Sequence, residues 1–159
     1  MLACIQRYFL CRQTQTEHTL LNITLSDADV HNTETYIPKI TCGKVIKVYD
    51  GDTITVAAYL PESNKQVYKF AIRLRGIDSA EIRGSSATEK KHAIVARDAL
   101  SERILNQYVD IKNVSTEKYG RLLADVYFEG TNMNNWMVSN NYAVEYDGGT
   151  KHRDKSWDK

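Results

Sequence analysis

Runs of alternating apolar and polar residues cluster early in the chain. They cover Lys44 to Tyr49, Thr53 to Leu60 and Val67 to Ile77. Alternation at period two marks strands that bury one face. Asp50-Gly51 separates the first two runs and Pro61-Glu62-Ser63-Asn64 the second two, and both stretches carry turn chemistry. The first strand is expected from Ile40 to Tyr49, with strands over 52–60 and 66–77 after it. Pairing these last two around the proline turn sets Asp52 opposite Arg73, give or take a bulge. In the third strand Phe70, Ile72 and Leu74 take the core face, and Ala71, Arg73 and Arg75 the other.

Period 3.6 then replaces period two. Ser86-Ala87-Thr88-Glu89 is a capping box that opens a helix, with Ala93, Ala96, Leu100 and Ile104 as its buried stripe. Glu89, Lys90, Lys91, Arg97, Asp98 and Glu102 read mostly as its solvated face. Val109 to Val114 is a fourth strand. Lys118-Tyr119-Gly120-Arg121 is a turn into a fifth, in which Leu122, Ala124, Val126 and Phe128 share a face. A short helix follows around Met133 to Asn140, with Met133, Trp136 and Met137 read as core and Asn141 as its left-handed stop.

The order is three strands, helix, two strands, helix: a mainly β, α+β chain. Five short strands that each bury one face can close into a small Greek-key barrel of the OB type, capped by helices. Periodicity alone leaves a flat α+β sheet open as well. Residues 1–36 are polar and without sustained period, and are expected to be a partly disordered extension. The domain is then 37–147, with Pro38 marking its entry, and 148–159 is a charged tail.

Composition narrows the function classes. With 159 residues, 42% hydrophobic and 26% charged, the chain suits one ordinary globular domain. Its formal net charge of +1 gives no overall basic footprint, so nucleic-acid binding has to come from a local patch. Cys4, Cys11 and Cys42 form no CxxC pair, and His18, His31, His92 and His152 are far apart, which excludes a zinc finger and a disulfide scaffold. The sparse, odd cysteine count points to a reducing compartment. Met1 to Cys11 lacks the charge and cleavage pattern of a signal peptide, and no run reaches membrane-span length, so an intracellular monomer away from membranes is expected.

The candidate chemistry lies where the first three strands meet. Asp52, Arg73 and the loop Gly76-Ile77-Asp78-Ser79-Ala80-Glu81 converge at one end of the hairpin. Asp52 and Asp78 are hard oxygen donors, suited to Ca2+ or Mg2+ rather than zinc. Glu81 is placed to orient or deprotonate a water. Arg73 and Arg121 present planar forks that match phosphate oxygens. A cation, a carboxylate base and two arginines are what phosphodiester hydrolysis needs. The same residues also make a plain structural ion-pair cluster.

Three blocks, Val48-Tyr49-Asp50-Gly51-Asp52-Thr53, Ile72 to Glu81, and Lys118-Tyr119-Gly120-Arg121-Leu122-Leu123-Ala124, resemble the signature blocks of the staphylococcal nuclease-like (thermonuclease) family, in its order. Asn134 and Asn141-Tyr142-Ala143-Val144 match its last helix and exit, so the resemblance covers about residues 42 to 147. It implies a five-stranded OB barrel and a Ca2+-dependent nuclease acting on single-stranded or frayed DNA and on RNA. By position, it makes Asp52, Asp78 and the Ser79 carbonyl cation ligands, and Glu81 the residue that holds or activates water. It puts Arg73 and Arg121 on the scissile phosphate, Lys118 and Tyr119 on a neighbouring one, and Tyr146 against the nucleotide. Two positions depart from the pattern: Ser79 stands in place of threonine and Ala80 in place of proline. A catalytically inactive OB module that binds nucleic acid or protein is the rival reading.

Overall fold

The computed structural model describes residues 24–61, 66–84, 86–117 and 119–149. Much of the expected extension and tail lies outside these residues, as does Lys118. The chain divides into two units, Met1–Pro38 and Lys39–Lys159. In the first, the described part carries a 3-10 turn, Leu25–Asp27, and an Asx turn in which the Asp29 carboxylate accepts from the backbone N–H of His31 and Asn32.

The second unit is a barrel. Strands β1 (Cys42–Asp50), β2 (Thr53–Tyr59) and β3 (Val67–Leu74) form an antiparallel meander. A short β4 (Ile77–Ser79) precedes helix α1 (Ala87–Ile104), followed by β5 (Tyr108–Thr116) and β6 (Leu122–Phe128). Then come β7 (Thr131–Asn132), α2 (Met133–Ser139) and β8 (Ala143–Glu145). β1 pairs with β5 as well as β2, β5 pairs with β6, and β6 lies parallel to β3 through Ile72↔Leu122 to Leu74↔Ala124. That last pairing closes a five-stranded barrel of OB type, which removes the open edges a flat sheet would leave.

Its interior is filled by the period-two residues. Val45, Ile54, Val56, Ile72, Leu74, Val109 and Val126 are almost fully buried, joined by Leu100 and Ile104 of α1 and by Met133 and Met137 of α2. Each such side chain contributes about 1.5–3 kcal/mol relative to exposure. α1 begins as expected, with the Ser86 hydroxyl accepting from the Glu89 N–H at 3.0 Å, and its buried stripe is Ala93, Ala96, Leu100 and Ile104. Asn141 ends the α2 region at φ 59°. Among the described residues no helix is long and apolar enough to cross a membrane.

Several expectations shift. Thr53, not Asp52, stands opposite Arg73, because the whole β2–β3 ladder, from Thr53↔Arg73 to Tyr59↔Val67, runs one residue off the expected register, and Asp52 belongs to the β1–β2 connection. The run Val67 to Ile77 is two strands, broken at Gly76 with φ 75°, and the second of them pairs with β8 in a separate small sheet. Glu89 is buried rather than solvated: its carboxylate folds over Gly84, where a Cβ would lie 2.2 Å from Glu89 Cδ. Cys42 is disulfide-bonded. Spacing rules out a dense cystine scaffold, not a single bridge.

Candidate active site

The cleft lies at the end of the barrel where β1, β2 and β3 meet the β4–α1 loop and the β5–β6 turn. It encloses about 900 Å³ and is lined by Asp50, Asp52, Arg73, Glu81, Tyr119 and Arg121, among others.

Its floor is set by backbone pairing. The Asp52 carbonyl accepts from Leu74 N–H at 2.8 Å, which extends the β2–β3 ladder one step past Thr53. Gly51 lies against α1 and the β4 end: a Cβ there would stand 2.9 Å from Ala96 Cβ and 3.0 Å from Ser79 Cβ. Close approach, not left-handed geometry, therefore demands this glycine. The result is that Asp52 is only 3% exposed, beside Asp78 at 6%.

Arg73 joins them. Its Nη1 donates to Asp52 Oδ2 at 2.8 Å, and its Nη2 donates to Asp78 Oδ1 at 2.6 Å and to the Ile77 carbonyl at 3.3 Å. Asp52 also accepts from the Thr53 hydroxyl at 2.8 Å and from Ser79 N–H at 3.3 Å. Burial pushes the Asp52 carboxyl above its ordinary pKa, although Arg73 pulls the other way. Burial also works against the charge of Arg73, but Asp52 and Asp78 outweigh it and hold that pKa above its ordinary value. Of the expected pairing, Asp52, Arg73 and Asp78 thus form one buried cluster, with the Ser79 backbone against it.

The remaining residues sit on loops. Glu81 is exposed in the cleft, and its carbonyl closes a turn with Gly84 N–H at 2.8 Å. Ala80 is buried beside Ala93. Arg121 is partly exposed: Nε donates to Glu117 Oε1, and Nη1 reaches the Thr53 hydroxyl at 3.5 Å. Tyr119 is 72% exposed on the cleft rim. Tyr146 brings its ring to 6.0 Å from the Arg73 guanidinium, and its N–H donates to the Gly76 carbonyl at 2.9 Å. The expected contact residue Lys118 lies outside the described residues.

Two further residues belong to the site that sequence reasoning does not pick out. Asp50 faces Asp52 and Glu81, and its Oδ1 is buried with no hydrogen-bond partner among the described residues. Burial first, then the Asp52 charge and, more weakly, the Glu81 charge push its carboxyl up, against a backbone hydrogen bond from Ile82 and the Arg121 charge. Its place two residues before Asp52 in the turn is the available signal. Glu117, the partner of Arg121, has none. An orphaned carboxylate oxygen among crowded carboxylates is relieved by a hard cation, so the all-oxygen donor set fits Ca2+ or Mg2+. Among the described residues no group of three or more acidic, histidine or cysteine side chains is placed to hold a metal ion by itself. Such a cation has to complete its coordination with water or phosphate oxygens.

The family model for "Staphylococcal nuclease homologue" matches residues 71–158. The chain belongs to the staphylococcal nuclease-like family. It is also 33% identical over 108 residues to a Haemophilus influenzae protein named "Uncharacterized endonuclease", covering 68% of this chain and 53% of that one. An Escherichia coli O157:H7 protein of the same name is 31% identical over 106 residues, 66% of this chain and 61% of its own length. The chain thus spans between half and two thirds of the curated relatives it matches. The closed barrel and the family are those the three sequence blocks implied.

Proposed function

We propose that this protein is a nuclease that hydrolyses phosphodiester bonds of DNA and RNA, on single-stranded or frayed substrate. The observation that carries the reading is the convergence of Arg73 and Arg121 on one cleft, linked through Thr53 and Asp52, with Glu81 exposed beside them. Guanidinium groups there hold the charge that develops on the non-bridging phosphate oxygens. Glu81 takes a proton from the attacking water, whose oxygen forms a bond to phosphorus as the P–O ester bond breaks. The leaving oxygen is protonated from solvent. Asp50, Asp52 and Asp78, with the Ser79 carbonyl, are the candidate holders of the divalent cation, Ca2+ first and Mg2+ second. When bound, the cation polarises the phosphate. Lys118, Tyr119 and Tyr146 are assigned to the flanking nucleotide.

A second reading has its own observation. Arg73 is bracketed by two carboxylates, an arrangement that also serves as a structural ion cluster in a binding module on the same barrel. One experiment separates the two. Purified protein is incubated with labelled single-stranded DNA and RNA in Ca2+, in Mg2+ and in excess chelator. The nuclease reading expects cleavage with Ca2+ and none in chelator. Binding without cleavage under every condition selects the module instead.

A further inference from the structure

Away from the cleft, the outer face of β1, β2 and β3 carries a chemistry that the hydrolytic reading does not use. Directly paired residues share a face of a sheet. Lys69 pairs with Ala57, Ala57 with Lys44, and Lys44 with Tyr108, so one row crosses four adjacent strands. At about 4.8 Å per strand that row is some 14 Å long. The next row toward the cleft is Ala71, Thr55 and Lys47. The opposite faces of these strands are the buried Val45, Ile54, Val56 and Ile72, so both rows look outward.

The floor between the lysines is small and flat: Thr55, Ala57 and Ala71. Around it stand the exposed rings of Tyr49 and Tyr108, 44% and 42% accessible. Lys47 Nζ lies 5.2 Å from the Tyr49 ring centroid, and both residues also line the cleft. Among the described residues the outward positions of β1 to β3 along these rows hold no carboxylate, and Asp110 of β5, paired with Cys42, borders the face at its end remote from the cleft. Lys44, Lys47 and Lys69 form no ion pair among them. At the end remote from the cleft the face stops at the disulfide-bonded Cys42.

Cations without ion-pair partners, interleaved with exposed rings on a smooth floor, suit a polyanion with unstacked bases. We infer that this face is a track for single-stranded nucleic acid, which holds the part of a strand extending beyond the cleft. Three features select that occupant. Its charge complements the lysines. Its bases stack on tyrosine rings. Its path is continuous with the cleft through Lys47 and Tyr49. A rigid duplex offers no free base faces to those rings. The inference rests on the nuclease reading only for the direction in which the strand runs.

The test uses the full chain in chelator, so that binding is read without cleavage. Anisotropy of a labelled 12-nucleotide oligothymidylate is measured from about 50 to 200 mM salt, and a trinucleotide serves as the short probe. OB folds cover about 4–16 nucleotides, so only the longer probe reaches the track. Each single-strand phosphate contact adds about 0.7 to the salt slope, so Lys44→Ala with Lys69→Ala is expected to flatten it by about 1.4. Affinity for the trinucleotide should stay within about twofold. Tyr108→Ala should weaken the 12-mer at least about fivefold with the slope unchanged. An unchanged slope in the double variant overturns the track. So does an equal loss for the trinucleotide, or an equal flattening with duplex. If the slope falls as expected while no cation supports cleavage, the track stands and the hydrolytic reading alone fails.

Discussion

Arg73 and Arg121 face one cleft and are held in opposite ways. Arg73 ends a strand paired on both sides, is 8% exposed, and is bracketed by two buried carboxylates. Arg121 follows the tight turn at Gly120, is partly exposed, and leans on Glu117 of the same turn. The first is positioned by the barrel, because breaking its contacts strands two carboxylates away from water. The second is positioned by a loop, whose contacts cost little to rearrange. The cleft therefore combines one arginine built into the barrel with one held by a loop.

The largest effect expected from this difference is at Arg73. Removing one partner of a buried ion cluster costs about 3–5 kcal/mol, so Arg73→Ala should lose that much in denaturant unfolding as well as cleavage. Arg73→Lys keeps a charge but not the fork, and turnover should fall at least about a hundredfold. The alternation pattern alone makes the fold indifferent to this change, since Arg73 lies off the apolar face. An Arg73→Ala variant as stable as wild type breaks the comparison.

Arg121→Lys should also cost about a hundredfold or more in turnover, but less than about 1 kcal/mol in stability, since its ion pair is partly exposed. Kinetics and chemical denaturation on the same preparation read both quantities. If Arg121→Lys destabilises as much as Arg73→Ala, the two arginines are not held differently.

The smallest effect is a dependence on pH. Asp50 and Asp52 both have carboxyls raised in the fold, by burial first. A raised acid favours its neutral form in the folded state. Its contribution to stability is thus present below the unfolded value of about 4 and is lost as pH rises through the folded value. In chelator, melting temperature should accordingly carry a destabilising increment between acid and neutral pH. Asp50→Asn should remove part of that increment. Added Ca2+ should raise the wild-type melting temperature more at neutral than at acid pH. A cation effect independent of pH, or larger in acid, contradicts the carboxylate assignment.

What is legible in the sequence follows from which forces are local. The capping box at Ser86 and Glu89, the stripe Ala93 to Ile104 and the stop at Asn141 are set by contacts a few residues apart, and they stand where expected. The convergence of Asp52, Arg73 and Asp78 withstands a one-residue shift in register, because Asp52 reaches Arg73 from the connection rather than the pleat. The break at Gly76 is invisible to periodicity, since its cause is a pairing of β4 with β8 more than sixty residues later. Gly51 reads as a turn glycine, yet it answers to the approach of Ala96 and Ser79. Period two marks a face as polar, but cannot say that other elements will cover it, which is why Arg73 is buried. The helical period fails at Glu89 for the same reason. Of the site, the ion cluster is readable from motif chemistry. The orphaned oxygen of Asp50 and the Glu117 partner of Arg121 depend on side-chain placement.

On the proposed mechanism labour is divided: Asp50, Asp52 and Asp78 hold the cation, and Glu81, exposed on its loop, moves the proton. Single-turnover cleavage beside a calorimetric Ca2+ titration of Glu81→Gln tests this division most directly. Turnover should fall by roughly two to four powers of ten. Ca2+ affinity should be nearly unchanged, because the candidate holders are Asp50, Asp52 and Asp78. Normal Ca2+ binding with wild-type cleavage would remove Glu81 from the chemistry, and a large loss of affinity would make it a cation ligand instead.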